Sequence, residues 1–389
     1  MAHQRFHPLR LHLGKDREST RHATWLELFF DLVFVFAIAE LAHLLHSDLS
    51  WAGIAGFAAL FVPVWWLWID FSYYADQFDI DSGPYRLVML SVMFGLVVMA
   101  LTIHNALHGG SAEFATIYAV LRSVIIFLYV QAWRFVPQSR ELTARYTISF
   151  SAAFLLWVLS IGVPEPARFW LWAVALLIEI SNGPITYLTI RNVPMQKSHM
   201  DERFGLFVII VLGEAIIAVA TGVSQTDWQW RSVLTGLGGF LTAVSLWWMY
   251  FERADESTIN QALRGGKRAL LRAYVYGYSH LLAFMGIVAT GVGIQFAIEA
   301  VADSHTFIVE ARAVLCGGVA IFLTGVTLLQ WASPSSLPKG VIGWRSLLAL
   351  LSLCLIPLGA GVSPLAIVLV LSLLLVALNR LDGIPLSTI

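Results

Sequence analysis

Six ionisable residues lie in stretches of this chain too apolar to hold them without a reason: Glu27, Asp31, Glu40, Arg122, Glu179 and Glu214. A charge at the centre of a bilayer costs roughly 2.5–3.5 kcal/mol even on the lenient insertion scale. Each such group must face other helices, pair with an opposite charge, or hold a proton. Spacing sorts them. Glu27 and Asp31 are one helical turn apart and share a face, while Glu40 and His43, at i and i+3, share a different one. A guanidinium inside an apolar run needs a carboxylate, so Arg122 is expected to pair with Glu179 or Asp31. The chemistry open to such a set is binding or passing a proton or small cation. The plainer reading is a static ion pair that fixes helix packing, with Glu27 a first-turn carboxylate at a helix N-terminus.

A second constellation follows the aromatic run Trp65-Trp66-Leu67-Trp68-Ile69. Asp70, Asp76, Asp79 and Asp81 are close enough in sequence to hold Mg²⁺ against a diphosphate, which would suit an intramembrane enzyme acting on a lipid or prenyl substrate. The simpler alternative has Asp81 or Ser82 capping the next helix, with Pro84 in its first turn. The aromatic run, and its echo Trp247-Trp248-Met249-Tyr250-Phe251, suit packing and interface anchoring better than a ligand cage. His43, His104 and His280 each stand without metal-ligand spacing. No cofactor is expected. All four lysines (Lys15, Lys197, Lys267, Lys339) fall in loops or tails, away from any Schiff-base position, and no phosphate-binding glycine loop or CxxCH occurs. Cys316 and Cys354 sit in apolar runs as small hydrophobes.

The elements that must position these groups are membrane helices. Of 389 residues, 58% are hydrophobic and only 13% charged, with a mean hydropathy of +0.75, where soluble proteins carry about 25% charge. Apolar runs of about 20 residues recur, the length a helix needs to cross a bilayer. The pattern predicts an all-α polytopic membrane protein with twelve spans, at 25–45, 51–73, 86–107, 114–135, 145–163, 167–189, 203–223, 231–251, 273–297, 309–331, 342–361 and 363–381. With the N-terminus in the cytoplasm, this layout puts twenty of the 24 Lys and Arg residues inside and three outside, leaving Arg122 within a span. Both termini are therefore expected in the cytoplasm. Loop 252–272, with Arg264-Gly265-Gly266-Lys267-Arg268, reads as a topology determinant facing anionic lipid. The expected partners are membrane lipids and a small solute or ion, and nucleic acid is not among them.

The second half of the chain echoes the first. Phe30–Glu40 reads against Phe204–Glu214, and Ala119–Leu128 against Ala313–Leu323. The expected organisation is a cytoplasmic tail (1–23), a six-helix repeat (24–190), a cytoplasmic linker (191–200) and a second six-helix repeat (201–389). An even number of spans per repeat makes the two copies parallel. Symmetry is broken where Gly205 replaces Asp31 and Cys316 replaces Arg122, so the first copy keeps more charges.

The run Trp25-Leu26-Glu27-Leu28-Phe29-Phe30-Asp31-Leu32-Val33-Phe34-Val35-Phe36-Ala37-Ile38 resembles the hallmark of the bacterial low temperature requirement A family. So does His199-Met200-Asp201-Glu202-Arg203-Phe204-Gly205-Leu206-Phe207-Val208-Ile209-Ile210-Val211-Leu212-Gly213-Glu214. The resemblance runs from about 20 to 385. It implies an integral inner-membrane protein of a family named for a growth phenotype in the cold, with Glu27, Asp31, His199, Glu202, Arg203 and Glu214 as motif residues. It implies no mechanism. Paired six-helix repeats with an aromatic-Asp signature, here Phe29-Phe30-Asp31, are also similar to the organisation of lysosomal potassium and proton channels. No Arg is clearly placed to accompany that signature, so this similarity implies fold only. Together the residues predict a transporter or channel for a small solute or ion using buried carboxylates. The alternatives are the Mg²⁺-dependent lipid enzyme and a non-catalytic protein of low-temperature adaptation.

Overall fold

A bilayer core offers the backbone no water, so each spanning segment must satisfy its own amides, and helices do this within one segment. The computed structural model describes residues 10–11, 24–79, 82–190, 198–252, 266–333 and 337–382. Among these, twelve helices are long and apolar enough to cross a membrane, matching the number of spans expected. They are α1 (Trp25–Ser47), α2 (Trp51–Gln77), α3 (Gly83–Ala100), α4 (Ser111–Phe135), α5 (Arg140–Ile161) and α6 (Ala167–Thr189). The second six are α7 (Met200–Ser224), α8 (Trp230–Phe251), α9 (Gly266–Ala302), α10 (Val309–Ala332), α11 (Lys339–Leu358) and α12 (Pro364–Asp382). The only strand pairing among the described residues is a two-residue antiparallel one of β1 (Arg10–Leu11) with β2 (Phe78–Asp79). The chain is a multi-pass membrane protein.

Local chemistry sets several helix ends. At α1, the Thr24 hydroxyl accepts from the Glu27 amide at 3.3 Å, and the Glu27 carboxylate accepts from the Thr24 amide at 2.7 Å. This reciprocal capping box satisfies two of the amides a helix start leaves open. Glu27 thus acts where a first-turn carboxylate would. At α3, Ser82 is the N-cap and accepts from the Tyr85 amide at 3.3 Å, with Pro84 in the first turn. Arg168 and Arg312, two of the three cations that the sequence layout counts as outside, are buried in the first turns of α6 and α10. Arg168 donates to the carbonyls of Ser160 and Ile161 at the end of α5, at 2.8 and 3.0 Å. Arg312 donates to the carbonyls of Ile356, near the end of α11, and Phe307. A cation on the last carbonyls of a helix complements their partial negative charge.

The chain divides into two compact units. One comprises 1–40, 62–202 and 259–271, the other 41–61, 203–258 and 272–389. In the first, α4 packs on α5 and α5 on α6. Here α6 is an inside-out amphipathic helix. Trp170, Val174, Leu177, Ile185 and Leu188 are exposed, while Arg168, Trp172, Ala175, Glu179, Asn182 and Thr186 are buried. Apolar outside and polar inside is the arrangement lipid selects. The aromatic runs of α2 and α8 differ in the same way. Trp65, Trp66 and Trp68 are buried, whereas Trp247 and Trp248 are about half exposed, at 44% and 49%.

In the second unit, α10 packs on α11 and α8 on α12. Its apolar core includes Ile294, Ile298, Leu315, Cys316, Val368 and Leu371. Helices α9 and α10 touch backbone to backbone. A Cβ on Gly286 would lie 2.5 Å from the Phe322 nitrogen, and one on Gly293 would lie 2.4 Å from the Leu315 Cα. Small residues at such crossings let dispersion hold helices together where lipid offers no hydrophobic drive. At the ends of α11 and α12, buried Arg345 pairs with Asp382 at 2.6 Å and donates to Gln330 at 2.7 Å. Gln330 in turn donates to the Met249 carbonyl of α8 at 2.9 Å.

A candidate ion-binding site in the first unit

Three helices each bring one charge to a common point in the first unit. Asp70 comes from α2, Arg122 from α4 and Glu179 from α6, and Arg122 and Glu179 are wholly out of solvent. Arg122 donates through Nη1 to Asp70 Oδ2 and through Nη2 to Glu179 Oε2. The Tyr118 hydroxyl, one helical turn before Arg122, also donates to Glu179 Oε2, at 3.3 Å. The guanidinium lies 5.3 Å from the Tyr118 ring centre and 5.2 Å from that of Phe150, within reach of cation–π attraction. Of the two alternatives expected for Arg122, Glu179 and Asp31, it is Glu179 that meets the guanidinium, joined by Asp70, which was not expected there.

The span limits explain why Asp70 reads from sequence as an acid at the end of a span. Read as ending at 73, α2 places Asp70 in its last turn. It runs to Gln77, so Asp70 sits two turns inside, buried with Trp68 and Phe71. Further along the same helix, Asp76 accepts from the Ser198 hydroxyl at 2.8 Å and the His199 amide at 2.7 Å. It thereby organises the residues just before α7. Of the other carboxylates proposed for Mg²⁺, the Asp79 side chain and Asp81 lie outside the described residues. Among the described residues, no group of three or more His, Cys, Asp or Glu side chains is placed to hold a metal ion.

Glu179 continues into a polar stripe on the buried face of α6. Asn182 is one turn on, and Thr186 donates to its Oδ1 at 3.0 Å. Past it, Thr189 accepts from Arg145 of α5. Four buried polar atoms around this region make no hydrogen bond: Glu179 Oε1, Asn182 Nδ2, Arg122 Nε and Trp157 Nε1. A buried polar group left unpaired is costly and therefore marks a place to look for function.

The remaining motif residues are dispersed. Asp31 is wholly buried, and its Oδ1 accepts from the Trp68 indole at 2.8 Å. Glu40 and Glu214 are half-buried, on α1 and α7. Asp201 and Arg203 are buried in the first turn of α7, and Glu202 between them is half-buried. His43 and His104 are exposed. His280 is buried in the second unit, stacked on Phe204 with ring centres 3.9 Å apart. Its Nδ1 faces the Tyr276 carbonyl at 2.9 Å and its Nε2 faces the Tyr250 hydroxyl at 2.9 Å. A carbonyl can only accept, so Nδ1 carries the proton and Nε2 accepts from Tyr250.

Two arrangements were missed by sequence reasoning. His46, near the end of α1, meets Glu299 at 3.0 Å and stacks on Phe296. Gln295, one turn before Glu299, donates to the same carboxylate oxygen at 3.0 Å. The span limit of 297 left Glu299 outside the membrane helix, whereas α9 continues to Ala302. The i, i+4 pair Gln295 and Glu299 was the available signal. The Arg345–Asp382 pair carried none, since the two lie 37 residues apart on separate helices.

Comparison with known proteins adds one family. The model of the bacterial low temperature requirement A protein matches residues 22–379. An uncharacterized protein of Rhizobium meliloti (strain 1021) is 32% identical over 363 residues, covering 90% of this chain and 87% of the relative. No solved structure matches the chain.

Proposed function

This chain belongs to the bacterial low temperature requirement A family, and we propose that it is a transporter or channel for a small solute or ion, working through carboxylates buried in its membrane helices. The observation that carries this reading is the Asp70–Arg122–Glu179 cluster on three spanning helices. Burying three charges in a membrane protein is expensive, and such groups mark ion and proton pathways. The unpaired atoms beside the cluster and the polar stripe of α6 support the reading. In this reading Asp31, Glu40 and Glu214 are further binding groups on the first helix of each proposed repeat, with Arg122 and Glu179 as electrostatic partners.

The same proposal places the protein in the cytoplasmic membrane with both termini inside. The support is the bias of Lys and Arg toward one set of loops.

Flux in proteoliposomes tests the function. Wild-type protein should conduct or exchange protons or monovalent cations, and Asp31→Asn and Glu214→Gln should abolish this while the protein remains folded in the membrane. Normal flux in both variants would remove those residues from the pathway. Silence of the wild type across a panel of cations and protons would favour a purely structural role for the buried charges.

A further inference from the structure

Charge does not balance in the cluster. Two carboxylates, Asp70 and Glu179, share one guanidinium, Arg122, so the fully ionised set carries one net negative charge inside a buried site. A bare excess charge at this depth is not sustained; such groups neutralise instead. One added proton restores balance, and hydrogen bonding says where it goes. Glu179 Oε2 accepts from both Arg122 and Tyr118, the pattern of a carboxyl's carbonyl oxygen. Glu179 Oε1 is buried and makes no hydrogen bond, the place left for an O–H.

We propose that the Asp70–Arg122–Glu179 cluster stores one exchangeable proton on Glu179 Oε1, so that the proton is the ion this site takes. A metal cation suits the site poorly. It needs several oxygen ligands, yet the other three unpaired buried atoms, Arg122 Nε, Asn182 Nδ2 and Trp157 Nε1, are all N–H donors. The groups around the carboxyl are Tyr118 and Arg122 from α4 and, across the same guanidinium, Asp70 from α2; Asn182 lies one turn on along α6, and α5 places Phe150 against the guanidinium. The step is a single proton transfer. The Oε1–H bond breaks, the proton passes to a water molecule, and the carboxylate left behind keeps its bonds to Arg122 and Tyr118. Return of a proton reverses it. This inference rests on the transport reading for its purpose but is measured without transport.

Infrared difference spectroscopy of the full-length purified protein tests it. The wild type should show a protonated-carboxyl band that moves on labelling glutamate with heavy carbon and shifts in deuterated water. Glu179→Gln should remove it. Asp70→Asn should remove it too, since one carboxylate then balances Arg122 and Glu179 ionises. Glu113→Gln and Glu141→Gln, both exposed and outside the cluster, should leave it in place, and its loss in Asp70→Asn carries the assignment even if Glu179→Gln fails to fold. Absence of the band in wild type, its survival in Glu179→Gln or Asp70→Asn, or failure to exchange with deuterium would each overturn the proposal. A band without flux would leave the proton store standing and remove transport. Flux without a band would do the reverse.

Discussion

Asp31 of α1 accepts the indole N–H of Trp68 of α2 at 2.8 Å, and both side chains are wholly buried. The bond joins the motif carboxylate of the first helix to the aromatic run of the second. It also gives Trp68, one of three buried tryptophans in that run, a polar duty beyond packing. An indole needs a partner when buried, and a carboxylate needs a donor.

Trp68→Phe keeps the ring packing and removes the donor. It should lower stability by about 1–3 kcal/mol, the cost of an acceptor left short of a partner. Asp31→Asn keeps an acceptor for the indole and should cost less. Thermal unfolding in detergent compares the two. Equal losses would show that the bond contributes little beyond packing.

Arg122→Met should be among the most damaging single changes, because it leaves two buried carboxylates with no cation. Breaking a buried pair from one side typically costs about 3–5 kcal/mol. The triple variant Asp70→Asn, Arg122→Met, Glu179→Gln should recover much of that loss, since no charge is then left uncompensated. Thermal melts of the single and triple variants check this. A triple variant as unstable as the single would point to lost packing of the long Arg side chain between Tyr118 and Phe150.

Gly293→Val should force α9 from α10. The first added carbon would lie 2.4 Å from the Leu315 Cα, a backbone atom that cannot turn aside. Overpacking of this kind costs about 1–3 kcal/mol or more. Gly317→Ala, on the neighbouring helix, where an added Cβ would meet no neighbour within 4 Å, should be tolerated. The pair of melting temperatures decides whether this crossing is tight.

Tyr250→Phe should leave His280 Nε2 without its donor in a fully buried site. A loss of about 1–3 kcal/mol is expected. His280→Gln can retain partners for both Tyr250 and the Tyr276 carbonyl, so it should lose less. Similar melting for wild type and Tyr250→Phe would show that the histidine is satisfied otherwise.

Hydropathy is a local property, so the sequence by itself determined that there are twelve apolar helices and which of them carry charges. Capping is equally local, which is why Ser82 and the first-turn role of Glu27 were readable from neighbours three residues away. Length was less so: α2 and α9 outrun their apolar windows by a turn, which sets Asp70 two turns inside its helix and brings Glu299 into one. Partnership was not readable at all beyond the rule that a buried Arg needs an acid. Arg122 meets Asp70 and Glu179 across 52 and 57 residues, and nothing in the intervening chain specifies which faces of α2, α4 and α6 turn together. The same holds for Trp65 and Trp247, alike in sequence but buried in one unit and half exposed in the other. Only tertiary packing decides these, because lipid and protein interior are equally apolar and an apolar sequence cannot tell one from the other.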